Sequence, residues 1–529
     1  MKEIREDGCL VKRRHVLKAA AGGAAAVAAA AGVSLANGDP ATAAVIRPGF
    51  SWNPFQFGVA CSPVDNVIWT KLAVEPLAPD GRGGMPRGDV PVDWVVSRNP
   101  DLSDIVASGT AYAIDSDGHT VHHSVSGLPA DAELYYRFQY AGWQSTVGRL
   151  RTAPRAGEAA PDLKLAVTSC AHYAQGYFHV YRHIATHQVD AVLVVGDIVY
   201  TDSADVDVRT HVPAAQCRSL TQYRLRHSQY RLDPDEQAVR ASAPLIAILD
   251  DHEVDNNWAA SIPDKEADGG SIGWWSRRQN ALRAFWEHLP FAPWKRPTKS
   301  VLDITAHLAW GDLATLHMLD TRQFRSDQNG DLRDKSNRYL LGPVQLQQLG
   351  QAYQGARWDI LAQQVVMARW DVTPSGFWDS VANTDSWDGY RAEKIRVYEQ
   401  WKQMDVRNPI VLTGDVHSAW ANVLEHIGSA VGLELVTSSI SSGGNGDKQM
   451  FGLDKLWLMN SHIKYHNAQR GWILMEVGYD DIRVSWRGTQ IVTSPSPQPD
   501  LLFARCTIKD GVREFRDKWY DLRYSQEWE

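Results

Sequence analysis

Six short apolar runs follow one another between residues 163 and 442, and each ends on polar, acidic or cysteine residues. They read LKLAVTSC, AVLVVGD, PLIAILDD, ATLHMLDTR, PIVLTGDVH and LELVTSSISS. Apolar runs of this length, alternating with amphipathic helical stretches, predict the buried strands of an α/β domain. Ligands bind at the strand ends of such sheets, so these terminal side chains are expected to converge at one edge. They are Cys170, Asp197, Asp250, Asp251, Asp320 and Asp415.

Residues 50–153 have a different pattern. Short β-branched and aromatic runs such as VPVDWVVSR and ELYYRFQY are cut by Gly, Pro, Asp and Asn, which indicates closely spaced strands. A segment of roughly 100 residues with this pattern suits a β-sandwich. The polar stretch RAGEAAPD after Pro154 separates it from the α/β pattern. We therefore predict a β-sandwich over 50–153 and a catalytic domain over 163–500.

Composition excludes some functions. The chain of 529 residues has 44% apolar and 22% charged residues, as expected for a globular protein. Its net charge of −8 argues against electrostatic binding of nucleic acid, and we expect no nucleic-acid-binding surface. Beyond the N-terminus no apolar stretch reaches the roughly 20 residues of a membrane span, so none is expected in the mature chain.

The N-terminal segment predicts an export signal. The stretch VKRRHVLKAAAGGAAAVAAAAGVSLA places Arg13 and Arg14 before a mildly apolar Ala/Gly run, with small residues at Ser34 and Ala36. A basic start, an apolar run and small residues at the cleavage site are typical of a signal peptide. The paired arginines resemble a twin-arginine signal, so we expect residues 1–36 to be removed and the protein to be exported by that machinery to the periplasm, cell wall or medium. An Ala-rich structural helix is the alternative.

Three motifs predict a metal centre. In GDIVY and GDVH a glycine permits a sharp turn at the strand end, so that Asp197 and Asp415 project as oxygen ligands. His417 offers a further donor two residues after Asp415. The stretch DDHEVDNNW at 250–258 crowds acidic side chains that would repel one another without a cation. The three motifs in this order are a far more specific signal than any single Gly-Asp pair.

The ordered series of motifs resembles the PhoD-like alkaline phosphatases, a branch of the calcineurin-like metallophosphoesterases. The resemblance implies an α/β (α+β) metallophosphoesterase sandwich preceded by an all-β fibronectin-III-like domain, and it implies hydrolysis of a phosphate-ester substrate. The twin-arginine leader fits the same family. The motifs are SC (169–170), GDIVY (196–200), DDHEVDNNW (250–258), LDTRQFRSDQ (319–328), LAQQVVMA (361–368), DSWDGYRAEKIR (385–396), GDVHSAW (414–420), TSSISSGG (437–444) and HIKYHN (462–467).

The resemblance also implies a ligand set. Fe(III) would be held by Cys170, Asp197, Tyr200 and Asp415. Thiolate and phenolate suit Fe(III), whereas carboxylate and amide oxygens suit Ca²⁺. Ca²⁺ would share Asp197 with the iron.

The remaining ligands of the calcium ions are less determined. Asn256 is expected to bind Ca²⁺, and His417 lies nearby in the sequence motif. Which of Asp251, His252, Asn256 and Asn257 bind a metal directly stays open, as does the number of calcium ions. The bound metals are expected to activate a water or bridging oxo group that attacks phosphorus.

Two further residues are predicted to act in catalysis. His252 stands where related enzymes keep an acid that protonates the leaving alkoxide; the alternative is that His252 or Asp251 only braces the ligands. Arg322 is expected to stabilise charge on the phosphoryl oxygens. Its alternative role is a structural pair with Asp320 or Asp327.

Three questions stay open at this point. The enzyme could prefer diesters, as a phosphodiesterase or a phospholipase-D-like enzyme acting on wall polymers or lipids. A non-enzymatic binding protein with a degenerate metal site is the remote alternative, against which the intact ligand set argues. Residues 501–529 form a tail in which VREFRDKWYDLRYSQEWE has the composition of an amphipathic helix. This tail could be a lid over the site or could simply pack on the catalytic domain.

Overall fold

The computed structural model describes residues 52–203, 208–263, 270–328, 334–370, 383–446 and 460–521. The predicted signal peptide at 1–36 lies outside these residues.

The N-terminal segment is all-β, as predicted. Strands β1, β2 and β5 form a three-stranded sheet; in the second sheet the order is β4-β3-β6-β7, and β8 also pairs with β6. Buried and exposed residues alternate along the first half of β3, the pattern of a strand with one face on a core. The strands are β1 (Val59–Ser62), β2 (Val67–Lys71), β3 (Val90–Ser97), β4 (Ile105–Ala113), β5 (Thr120–Ser124), β6 (Glu133–Tyr140), β7 (Trp143–Gln144) and β8 (Gly148–Arg151).

The rest of the described chain contains fourteen strands and six α-helices. The strands are β9 (Leu163–Thr168), β10 (Ala191–Val195), β11 (Leu245–Ile248), β12 (Ala306–Trp310), β13 (Ala314–Met318), β14 (Trp358–Ala362), β15 (Pro409–Thr413), β16 (Ala419–His426), β17 (Ser429–Val436), β18 (Ile463–Asn467), β19 (Arg470–Val477), β20 (Asp481–Thr489), β21 (Leu501–Lys509) and β22 (Arg516–Tyr520). The helices are α1 (His179–Ala185), α2 (Leu220–Arg231), α3 (Pro234–Ser242), α4 (Gly270–Glu287), α5 (Pro343–Ala352) and α6 (Arg391–Gln403).

These strands form two seven-stranded mixed sheets. The first sheet has the order β11-β10-β9-β19-β20-β21-β22, in which β9, β10 and β11 run parallel. The second has the order β12-β13-β14-β15-β17-β16-β18, with β13, β14, β15 and β17 parallel. Each of the six apolar runs supplies one of the parallel strands, so the parallel strands of both sheets end in the polar residues that the sequence singled out.

Alternate residues of the second sheet face two different cores. Leu316, Ile360 and Leu412 belong to a cluster that also contains residues of the first sheet such as Leu165 and Leu193. Their neighbours along the strands face the opposite way. Leu361 and Val411 pack with Leu349 of α5 and Val397 of α6. One core therefore joins the two sheets, and a second lies under α5 and α6, which is the α/β sandwich that the resemblance implied.

Local signals set the start of two helices near the site. Ser219 caps α2 with a capping box, in which its side chain accepts from the Gln222 backbone N–H and Gln222 reaches back. Asp233 caps α3, which has Pro234 in its first turn. These caps fix how the chain enters two helices that flank the strand ends.

The C-terminal stretch differs from the prediction. Strands β21 and β22 extend the first sheet, so the catalytic fold continues past residue 500, and a helix over Arg516–Tyr520 is wrong. The physical reason is that the edge of the antiparallel β19–β20 ribbon offers unpaired backbone groups to a further strand. Residues 522–529 lie outside the described residues. Among the residues that the structure describes, no helix is long and apolar enough to cross a membrane.

Candidate metal centre

The ends of the parallel strands in both sheets meet at one place. A β-bridge between Ser169 and Ser439 joins the first sheet to the second just past β9 and β17. The Cys170 N–H donates to the carbonyl of Gly196 at 3.3 Å, and the Ala171 N–H donates to that of Asp197 at 2.9 Å. The loops after β9 and β10 are thereby fixed to each other. The predicted convergence is confirmed for these loops.

Glycine is required where two of these loops touch. Gly196 has φ +102°, and a Cβ there would lie 2.5 Å from the Cβ of Asp250. A Cβ on Gly414 would lie 2.7 Å from the Cβ of Ser169. The carboxylates that follow these glycines can approach the strand ends only because no side chain intervenes.

The predicted donors lie in mutual contact. The Cys170 Sγ is 3.6 Å from Asp197 Oδ2, and the Tyr200 hydroxyl is 3.0 Å from the same oxygen. The Tyr200 hydroxyl also lies 3.1 Å from His417 Nε2. Ligand atoms of Cys170, Asp197 and His417 lie within 4.8 Å of one another, as do those of Asp197, Asp251 and His252. Asp197 belongs to both groups, so its carboxylate could contact a metal ion held by either group.

Four of the predicted ligands have a left-handed backbone. The φ angles are +58° at Cys170, +55° at Asp197, +67° at Asp415 and +54° at His417. This region is unfavourable for residues with a Cβ, and such residues concentrate at functional sites. The surrounding hydrogen bonds hold the backbone in this conformation, and the ligand atoms of Cys170, Asp197 and His417 lie within 4.8 Å of one another.

The electrostatics of the cluster fit a cation. Burial, together with neighbouring carboxylates, raises the pKa of Asp197 and of Asp415 well above the ordinary value. Burial and the charge of Asp197 likewise raise the pKa of the Cys170 thiol and of the Tyr200 hydroxyl. Four acidic groups that resist ionisation together would all be stabilised as anions by one or two bound cations. The donor set therefore fits bound metal ions.

His252 lies at the open side of the cluster. Its backbone N–H donates to Asp251 Oδ1 at 2.9 Å and to Asp197 Oδ1 at 3.3 Å, and its Nδ1 lies 2.5 Å from Asp202 Oδ2. Burial lowers the pKa of His252, but the charges of Asp251, Asp197 and Asp202 outweigh burial and raise it well above the ordinary value. The ring stacks on that of Tyr200 at 4.2 Å. His252 is thus an imidazole held in place by Asp202 and by the Tyr200 ring.

Asp251 and the two asparagines after His252 differ in how deeply they are buried beside the cavity. Asp251 is buried, and its Oδ2 accepts from the Asn257 backbone N–H at 2.7 Å. Asn256 is half-buried and lines the cavity next to His252, whereas the Asn257 side chain is exposed. Asn256 is therefore better placed than Asn257 to offer an amide oxygen to a metal.

The predicted phosphate contact of Arg322 is not what the structure shows. Its guanidinium is fully buried and does not line the cavity. Nε donates to Asp250 Oδ1 at 2.5 Å, and the two Nη atoms donate to the carboxylate of Asp385 at 2.5 and 2.6 Å. The alternative role of Arg322, a structural ion pair, is correct, but its partners are Asp250 and Asp385 instead of Asp320 or Asp327. Asp320 instead accepts the N–H groups of its own turn, and it does not join the cluster.

Several supporting residues were not predicted. Glu253 is buried, and its carboxylate accepts the Ile198 N–H at 2.6 Å and the Asp250 N–H at 2.8 Å. Arg470 donates to the carbonyl of His417 at 3.0 Å. Asp202 orients His252. Glu253 lies inside the acidic motif at 250–258. Nothing in the sequence around Asp385 indicates that it pairs with Arg322, and nothing around Arg470 indicates that it donates to the carbonyl of His417.

A cavity of about 520 Å³ opens in front of the cluster. Tyr200, His252 and His417 form its inner wall. Its other lining residues are His172, Gln175, Asp202, Ser203, Gln216, Arg218, Asp255, Asn256, Arg277, Ser442 and Gly443. A polar cavity of this size, with the donor cluster at its base, can take a small charged substrate.

Comparisons with known proteins agree with this geometry. The PhoD-like phosphatase family matches residues 165–486, and the N-terminal domain of PhoD-like phosphatases matches residues 39–154. The chain is 37% identical to alkaline phosphatase D of Bacillus subtilis (strain 168) over 489 residues, which cover 88% of this chain and 82% of that protein. The solved structure of PhoD superposes with a TM-score of 0.85 at 34% identity, over 91% of this chain and 95% of that one.

The chain forms a two-sheet sandwich with a cluster of carboxylate, thiol, phenol and imidazole groups at its strand ends, and it is similar over most of its length to a phosphatase. These features define a metal-dependent phosphoric ester hydrolase. Its substrates are phosphate esters. The chain belongs to the PhoD-like phosphatase family.

Proposed function

We propose that this enzyme is exported and hydrolyses phosphate monoesters and diesters with Fe(III) and Ca²⁺. Fe(III) would be held by Cys170, Asp197, Tyr200 and Asp415, and Ca²⁺ by Asp197 and Asn256, with Asp251 and His417 beside them. The observation that carries the proposal is the buried set of thiol, phenol and carboxylates at the base of the cavity. When bound, these metals supply Lewis acidity and lower the pKa of a bound water.

The residues of this chain have separate tasks in the reaction. The backbone of Asp197 and of Asp415 already has its left-handed conformation before substrate binds, so these side chains need little reorganisation during the reaction. His252 donates a proton to the leaving oxygen. Its Nδ1 is engaged by Asp202, which leaves Nε2 for the leaving group. Arg322 holds Asp250 and so keeps the 250–257 loop in place.

The decisive experiment compares nitrophenyl phosphate with bis-nitrophenyl phosphate. The purified mature protein is assayed with Ca²⁺, after chelator treatment, and as the Asp197→Ala variant. We expect turnover that is lost in the chelated protein and in Asp197→Ala, and kept in the control variant Asp481→Ala, whose carboxylate pairs with Lys509 at the surface. The ratio of the two rates distinguishes a phosphatase from a phosphodiesterase. Undiminished turnover in Asp197→Ala would contradict the proposed site.

The identity of the metals and the export route need their own measurements. Elemental analysis of the protein as purified should find iron and calcium, and Cys170→Ser and Tyr200→Phe should each lower the iron content. Export should fail when Arg13 and Arg14 are both changed to Lys, with the precursor retained inside the cell. Export of that double variant at the normal rate would rule out the twin-arginine route.

A further inference from the structure

A second cluster of buried basic groups lies where the β-sandwich meets the catalytic domain. Lys71 comes from β2, His227 from α2 and His288 from the residue after α4. The rings of His227 and His288 stack at 5.0 Å, and the ring of Phe57 lies 6.5 Å from that of His288 and 6.0 Å from Lys71 Nζ. Lys71, His227 and His288 are each at most 1% exposed.

Most donors in this cluster have no acceptor. Among the residues that the structure describes, no group accepts from Lys71 Nζ, from Arg231 Nε or Nη2, or makes a hydrogen bond with either nitrogen of His227 or with His288 Nε2. Buried polar side-chain atoms in folded proteins are nearly always hydrogen-bonded, because leaving one without a partner costs about 1–3 kcal/mol. These buried groups lack a protein partner, so a bound ion or molecule with acceptor capacity would satisfy the donors among them.

Positive charge also exceeds negative charge here. Three buried carboxylates lie near the cluster, and each is already shared by two guanidinium groups. Asp117 accepts from Arg283 and Arg296. Glu287 accepts from Arg224 and Arg283, and Glu236 accepts from Arg231 and Arg240. Lys71 adds a further basic group, and no described residue accepts a hydrogen bond from its Nζ. Uncompensated buried charge is costly, so an anion would lower the energy of this arrangement.

The pKa shifts show that these charges act on the same place. Burial, with the charges of Arg231 and Lys71, lowers the pKa of His227 well below its ordinary value; burial, with Lys71 and His227, does the same for His288. Burial lowers the pKa of Lys71 to about 7. The positive charge of Lys71 therefore acts on both imidazole rings, in agreement with the contacts that the Phe57 ring makes with Lys71 Nζ and with His288.

We propose that Lys71, His227, His288 and Arg231 bind a small inorganic anion such as chloride at the junction of the two domains. A water molecule would supply acceptors but no negative charge, whereas chloride supplies both. The ligands come from the β-sandwich, from α2 and from the residue after α4, so the bound anion ties these parts together. This site is separate from the metal centre and does not depend on the proposed function.

The test measures thermal unfolding at constant ionic strength while sodium gluconate is replaced by sodium chloride, because gluconate is too large for such a site. We expect the wild-type Tm to rise by about 2 °C or more, since an anion that binds only the folded state stabilises it. Lys71→Met should lose most of that rise. Lys509→Met removes an exposed lysine that pairs with Asp481, and it should keep the full rise.

Two results would overturn the proposal. One is an equal response to chloride in the wild type, Lys71→Met and Lys509→Met. The other is a wild-type Tm that does not change when gluconate is replaced by chloride. Should Lys71→Met not fold, His227→Phe preserves the ring stacking on His288 and should reduce the chloride response. Crystals soaked in bromide provide an independent readout: an anomalous peak beside Lys71 Nζ supports the site, and density without anomalous signal there contradicts it.

Discussion

At the scale of single residues, His252 combines two roles that are hard to separate by inspection. Its main-chain N–H holds two carboxylates of the metal cluster, while its side chain faces the cavity. A substitution that keeps the main chain, and therefore the metal ligands, can isolate the side chain.

We predict that His252→Asn keeps its metal content and loses activity selectively. An acid matters most when the leaving group is a poor one, so hydrolysis of an alkyl phosphate should fall by roughly 10²–10⁴-fold. Hydrolysis of nitrophenyl phosphate should fall much less. Steady-state kinetics on both esters check this, with His187→Asn as the control, since His187 pairs with Asp500. Equal losses on the two esters would rule out the acid role.

Glu253 acts on the metal centre through the backbone. The ladder between β10 and β11 ends at Val195 and Ile248, and beyond it Glu253 accepts one N–H from each loop, from Ile198 and from Asp250. Its carboxylate thereby sets the distance between the loops that carry Asp197 and Asp251.

We predict that Glu253→Gln lowers metal affinity. The amide replaces one acceptor by an NH₂ that faces a backbone N–H, at a cost of about 1–3 kcal/mol. Glu393→Gln is the matched control, because Glu393 accepts the N–H groups of Leu340 and Leu341 away from the metal loops. Both variants should lose stability, but only Glu253→Gln should need more metal to regain activity. A similar metal requirement in both would show that Glu253 is structural only.

Sequence reasoning at this scale succeeded for donors that stand directly after strand ends. Cys170, Asp197, Asp415 and His417 follow strand ends, so their convergence follows from the topology of an α/β sheet, and the resemblance implied Tyr200. Arg322 was misjudged because its partner Asp385 lies 63 residues further along the chain. That pairing depends on how a later loop packs, which no local pattern reveals.

At the scale of elements, the loops after β10 and β11 touch without an intervening side chain. Gly196 makes this contact possible, and its φ of +102° is itself unfavourable for any residue with a Cβ.

We predict that Gly196→Ala destabilises the protein by about 3 kcal/mol or more, because the new methyl group would meet Asp250 Cβ at 2.5 Å. Gly428→Ala is the control, since Gly428 has φ +70° but nothing within 4 Å of its Cβ position. That control should cost only about 1 kcal/mol. Denaturant unfolding compares the two variants, and equal losses would show that the loop contact is unimportant.

The strands show why element boundaries were harder to predict at the C-terminus. The six apolar runs between residues 163 and 442 lie in the core and consist almost entirely of apolar residues, so they were correctly predicted as strands. Strand β22 is an edge strand in which Arg516, Asp517, Lys518 and Trp519 are all exposed. Without a buried face it has no alternation, so its charged and aromatic composition was mistaken for that of a helix.

At the scale of the whole molecule, the metal centre links the two sheets of the sandwich. Cys170 and Asp197 follow strands of the first sheet, and Asp415 and His417 follow a strand of the second. A metal held by both groups would therefore stabilise the packing of one sheet on the other.

We predict that chelation lowers the Tm of the wild type by about 5 °C or more, because the metals bind only the folded state. Restoring Fe(III) and Ca²⁺ should recover it. Asp197→Ala, which lacks the bridging ligand, should show a much smaller change on chelation. Scanning calorimetry measures all three conditions, and a Tm of the wild type that does not respond to chelator would contradict a structural role for the metals.

The bridge between Ser169 and Ser439 has a consequence for local opening. The amides of Cys170, Ala171 and Ile440 donate to carbonyls of neighbouring loops, so the backbone around the metal centre is hydrogen-bonded like the interior of a sheet. Loops around active sites commonly exchange their amide hydrogens through small local fluctuations. Here the Ile440 amide should exchange only when the two sheets separate, and the Cys170 and Ala171 amides only when the loops after β9 and β10 part, so the protection of all three against deuterium should match that of the core strands.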